Sequence, residues 1–115
     1  MNCENFTAEL LSAVPEYNPD DPDLLHRTLG GLVSFIASER TRAPDGASAI
    51  LGRVLTFIES KAESADEDVR DLIKVSFLEN LHLLGPDCRE VVGNLGPASS
   101  KLLAEYEAQW GRVCG

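Results

Sequence analysis

Apolar residues recur along this chain in stripes of helical spacing, and one six-residue phrase marks three of them. It reads Val33-Ser34-Phe35-Ile36-Ala37-Ser38, then Leu55-Thr56-Phe57-Ile58-Glu59-Ser60, then Val75-Ser76-Phe77-Leu78-Glu79-Asn80, at offsets of 22 and 20 residues. Each offset suits one helix plus a turn, so the pattern predicts similar helices that each offer an aromatic to a shared core. Period-2 alternation and β-branched runs are scarce, which points to an all-α fold.

Proline and glycine set the expected boundaries. A first helix over about Glu4 to Val14 carries Phe6, Leu10, Leu11 and Val14 on one stripe and stops at Pro15. Asp21 and Pro22 read as N-cap and first residue of a second helix, with Leu25, Leu29, Leu32, Val33 and Ile36 on its apolar face, running to about Arg42. Ala43-Pro44-Asp45-Gly46 is turn chemistry, after which Ile50, Leu51, Val54, Leu55 and Ile58 define a third helix ending near Glu63. The fourth starts at Ser64 or Asp66, with acids where the helix dipole favours them, and runs to about Leu84. From Val75 to Leu84 it is apolar around nearly the whole circumference and is expected to be the most buried segment. Two Leu-Gly-Pro triplets, at 84–86 and 95–97, bracket a short helix from Asp87 to Val92, and a last helix runs from Pro97 to Trp110 before a frayed tail at 111–115. Gly30 and Gly31, inside the second helix, imply close helix–helix approach. The expectation is one all-α domain over 1–115, frayed at 1–3 and 111–115, with five or six helices in antiparallel hairpins. These would form either a HEAT-like stack or a compact bundle. Asp66-Glu67-Asp68-Val69-Arg70 resembles the opening of inner helices in HEAT-type repeats, a resemblance that implies an aspartate cap and an arginine bridging neighbouring units.

Charge narrows the function. Nineteen acidic against ten basic residues give a net charge of −9, which repels nucleic acid and anionic lipid and favours cationic surfaces. No 18 apolar residues run together and no basic leader precedes an apolar stretch, so neither a membrane span nor an export signal is expected. Cys3, Cys88 and Cys114 are odd in number and widely spaced, which suits reduced thiols and a cytoplasmic location. Cys88, beside Arg89 at a helix start, is the thiol most open to acidification, against the plainer reading of a buried inert thiol.

Glu79-x-x-His82 and Asp23-x-x-His26 place a carboxylate and an imidazole on one helix face, as di-iron bundles do, but the further bridging glutamates have no source. No metal, cofactor or catalytic residue is therefore assigned. The acids remain: Glu59, Glu63, Asp66, Glu67, Asp68 and Asp71 fall within 13 residues, and Asp20 and Asp21 belong to a second group before the second helix. Such clusters are solvated faces or, more sharply, a steering surface for a basic protein. Tyr17, Tyr106 and Trp110 are the aromatics that could anchor an interface; Tyr106 is expected to dock the last helix and Trp110 to be partly exposed.

The stretch from Val75-Ser76-Phe77-Leu78-Glu79-Asn80-Leu81 through Leu95-Gly96-Pro97 to Tyr106 and Trp110 resembles a family of small, acidic, helical bacterial proteins of unassigned function. Proteins of that kind are often suspected to be immunity proteins of polymorphic toxin systems. The resemblance implies a non-enzymatic module that neutralises a cognate toxin through its acidic surface. A helical-repeat adaptor holding a peptide in its groove is the second expectation, and a metal-dependent helical enzyme the third.

Overall fold

The computed structural model describes residues 6–19, 24–64 and 66–114. Among them the elements are α1 (Phe6–Ala13), α2 (Leu25–Arg42), α3 (Pro44–Ala62), α4 (Glu67–Leu72), α5 (Cys88–Gly93) and α6 (Pro97–Trp110), with no strand. The backbone continues helically beyond α4, first with wider π turns at Ile73–Phe77 and then tighter 3-10 turns at Leu78–Asp87. Gly85 interrupts this extension at φ 60°, where a side chain would be strained.

α3 starts earlier than the turn chemistry suggests. Pro44 occupies its first position, where the missing N–H costs nothing and the fixed φ already suits a helix, so the connection shrinks to Ala43. The Asp21–Pro22 opening of the second helix lies outside the described residues.

α2 is the central rod, packed against α1, α3 and the α4 extension, while α3 also meets α6. A radius of gyration of 13.0 Å is that of a compact all-α domain. Each Phe phrase delivers to this core: Ile36, Ile58, Leu78, Phe57 and Phe77 are buried, and Phe35 packs against them from its edge. Phe6 meets Phe57 edge-on at 5.2 Å between ring centres. Gly30 marks a close helix–helix approach as expected, a Cβ there lying 3.3 Å from Asn80 Nδ2, whereas Gly31 makes room for a residue of the connector, a Cβ there lying 2.5 Å from the Tyr17 hydroxyl.

Three expectations need correction. The α4 extension is not buried all round, because α2 covers one side while Val75 and Leu83 stay 42% and 48% exposed. Arg70 does not bridge repeat units; its Nη1 donates to the Ser64 carbonyl at 2.7 Å and closes its own loop. The segment after α6 is not frayed over 111–114. Val113 is buried, its N–H donates to Glu107 Oε2 at 3.0 Å, and Cys114 is disulfide-bonded to Cys88. That bond replaces the reduced-thiol reading of both cysteines and removes the premise from which a cytoplasmic location was drawn. Among the described residues no helix is long and apolar enough to cross a membrane.

Candidate partner-binding surface

The acids gather where α3 ends and α4 begins. Helix starts favour carboxylates, since free N–H groups and the dipole both attract negative charge. Asp66 accordingly caps α4, its Oδ1 accepting from Asp68 N–H at 2.9 Å. Glu67 and Asp68 follow in the first turn and Glu63 stands at the α3 C-terminus, all three exposed or partly so. Neither they nor Asp45 and Glu79 have an ion-pair partner among the described residues.

Glu59 does not belong to this surface. Its side chain crosses from α3 to the start of α6, where it accepts from the N–H groups of Ala98 and Ser99, both at 2.9 Å, and from Ser99 Oγ at 2.8 Å. Burial disfavours its charge, but the hydrogen bonds from Ser99 and Ala98 outweigh that and hold the carboxyl below its ordinary range. Gly96 leaves the space: a Cβ there would lie 2.5 Å from Glu59 Oε1.

Asp71 is partly neutralised. A cleft of about 440 Å³ between α4 and α6 is lined by Glu63, Glu67, Asp71 and Glu105, but also by Arg70, Lys74 and Lys101. Lys74 Nζ lies 3.3 Å from Glu105 and 3.7 Å from Asp71. The acids without an ion-pair partner are thus Glu63 and Glu67, which line a cleft whose walls carry both signs, and Asp68, beside Glu67 in the first turn of α4. Lys101 and Glu105 come from α6, too far along the chain for the sequence cluster to signal them.

A second opening, of about 670 Å³, lies between α3 and α5 with Leu51, Gly52 and Leu55 on the α3 side. Its α5 side is fixed by Arg40, which donates to Asp87 at 3.0 Å and also pairs with Glu90. Glu63 borders both openings. On the far side of α3, Glu16 pairs with Arg53, whose hydrogen bond lowers the Glu16 pKa.

The aromatics divide. Tyr17 is buried, its hydroxyl donating to the Thr28 carbonyl at 2.7 Å and its ring 5.3 Å from that of Phe35, so it is a core residue and not an interface anchor. Tyr106 is half-buried and its pKa is raised by burial and by the charge of Glu79. Trp110 is 67% exposed and stands about 7.5 Å along α6 from Glu105, the nearest α6 residue that lines the cleft, at 1.5 Å per residue. Asp20, Asp21 and Asp23 lie outside the described residues.

The carboxylate–histidine pairing at 79 and 82 is also local. Both residues are exposed, and His82 Nδ1 lies 2.8 Å from the Glu79 backbone carbonyl oxygen. Among the described residues no three His, Cys, Asp or Glu side chains converge as a metal site. Cys88 is committed to its disulfide and offers no nucleophile in this state.

No curated protein and no solved structure matches the chain. A family model described as a domain of unknown function, DUF7674, matches residues 7–111, and with nearly the whole sequence covered the chain belongs to that family.

Proposed function

We propose that this chain is a non-enzymatic protein-binding module that engages a basic protein through Glu63, Glu67 and Asp68, in the manner of a bacterial immunity protein covering the active surface of a toxin. The carrying observation is that these three carboxylates reach solvent and lack ion-pair partners among the described residues, while the neighbouring Glu59 and Asp71 are engaged within the fold. Unpaired surface carboxylates keep their full field for an incoming cation and lose no internal pair when it arrives. The net charge of −9 adds long-range steering of the same sign. A cytoplasmic site of action is part of this reading and rests on the toxin, not on the cysteines.

The opening between α3 and α5 favours a second reading, an adaptor that takes a peptide against Leu51 and Leu55. Salt separates the two. Captured at native level from its own cell, a partner bound by the three carboxylates elutes as ionic strength rises from about 0.1 to 1 M, where the screening length falls to about 3 Å. A partner seated on the apolar floor resists the same wash.

A further inference from the structure

We infer that the Cys88–Cys114 disulfide is a redox latch that holds the C-terminal segment 111–114 closed over the α5–α6 edge of the core, and that a dithiol releases this segment without unfolding the helical body.

The bond joins the first residue of α5 to a segment lying beyond the last helix, across a separation of 26 residues. Gly111, at φ 97°, turns the chain back after Trp110. The segment beyond it is held by one hydrogen bond from Val113 N–H to Glu107, by the burial of Val113, and by the disulfide itself. α6, by contrast, is fixed to the body independently. Glu59 caps its N-terminus, Leu102 and Leu103 are buried, and Glu105 pairs with Lys74. The body therefore retains its own anchors when the bond is cut, and the described part of the released segment is 111–114. A short segment with few contacts is the kind that opens locally, well below the free energy of global unfolding.

The sulfur chemistry is asymmetric. Cys88 is 2% exposed while Cys114 is partly exposed, so an attacking thiolate reaches Cys114 Sγ first. That attack forms a mixed disulfide and expels the Cys88 thiolate, which takes up a proton. The second thiol of the reagent then displaces Cys114 as a thiol. The protein disulfide gains two electrons and two protons, and the dithiol is oxidised to its own disulfide. With the latch open, Val113 and Cys88, both buried in the closed form, meet water.

The test uses the full chain with and without dithiothreitol at 25 °C, reading hydrogen exchange at the Val113 amide, helical circular dichroism and the fluorescence of Trp110, the only tryptophan. The expected result is exchange at Val113 at least tenfold faster, a changed Trp110 signal, and helical dichroism retained. Cys114→Ser shows the fast exchange without reductant and no further response to it. Glu107→Ala leaves the bond in place and speeds its reduction. Loss of helical dichroism on reduction would make the bond a structural staple, and unchanged exchange at Val113 would mean that the segment is held without it. Either result overturns the latch, as does recovery of Cys88 and Cys114 as free thiols from the chain treated with a thiol oxidant.

Discussion

Glu59 on α3 caps the helix that begins nearly 40 residues later, accepting from both the N–H and the hydroxyl of Ser99, 40 positions along the chain. A helix start leaves N–H groups unpaired, and most are satisfied by a residue next to them in sequence. Here Gly96 precedes the helix and offers no side-chain acceptor, so the acceptor comes from a different helix. A local requirement thereby becomes a tertiary tie between α3 and α6.

Glu59→Ala is expected to cost about 2 kcal/mol, the scale of a lost charged cap that leaves buried donors unmet. The urea midpoint should fall with an unchanged slope. The cost depends on pH in a fixed direction. Because the folded-state pKa of Glu59 is depressed, its contribution is complete above the unfolded value, about 4.3 for glutamate, and is lost as pH falls through the folded one. The gap between wild type and Glu59→Gln should therefore be widest near neutrality and close in acid, as a series of urea titrations would show.

Gly96→Ala should reproduce the loss by pushing the Glu59 carboxylate off its donors, since the new Cβ would lie 2.5 Å from Oε1. In a double-mutant cycle with Glu59→Ala the two effects should fall well short of additive, by about 1 kcal/mol or more. Additive losses would mean that the glycine serves another purpose.

Gly31→Ala should destabilise through Tyr17. The added Cβ would lie 2.5 Å from the hydroxyl that Tyr17 donates to Thr28, so either the hydrogen bond or the helix must move. A loss of about 1–2 kcal/mol is expected, the scale of overpacking and of a buried hydrogen bond. In a Tyr17→Phe background, where no oxygen occupies that space, the same substitution should cost less, and thermal unfolding of the four variants checks it.

The helices are legible in the sequence because their signals are local: Pro97 after Leu95-Gly96, Asp66 before the Glu67 turn, and apolar stripes at helical spacing all act within a turn or two. The early start of α3 is not, because Pro44 serves a turn and a helix start equally well. Distance hides the rest. Glu59 reads as one surface acid among six until the fold places Ser99 beside it. Cys88 and Cys114 carry no spacing motif, and an odd cysteine count argues for thiols. Tyr17 sits in a polar connector, and only the approach of α2 gives its ring and hydroxyl a buried place. Of the acidic cluster, the residues are plain in the chain but not the lysines that the α4 extension and α6 set among them.

The central claim, that Glu63, Glu67 and Asp68 form the binding surface, is tested most directly by reversing all three to lysine and repeating capture from the native cell. These positions lie outside the core, so helical dichroism should be retained while three negative charges become positive at one site. The account predicts that a basic partner recovered by the wild-type chain is lost with the triple variant and retained by a control reversed at Asp45 and Glu79. A partner that binds the triple variant as well as the wild type would contradict it.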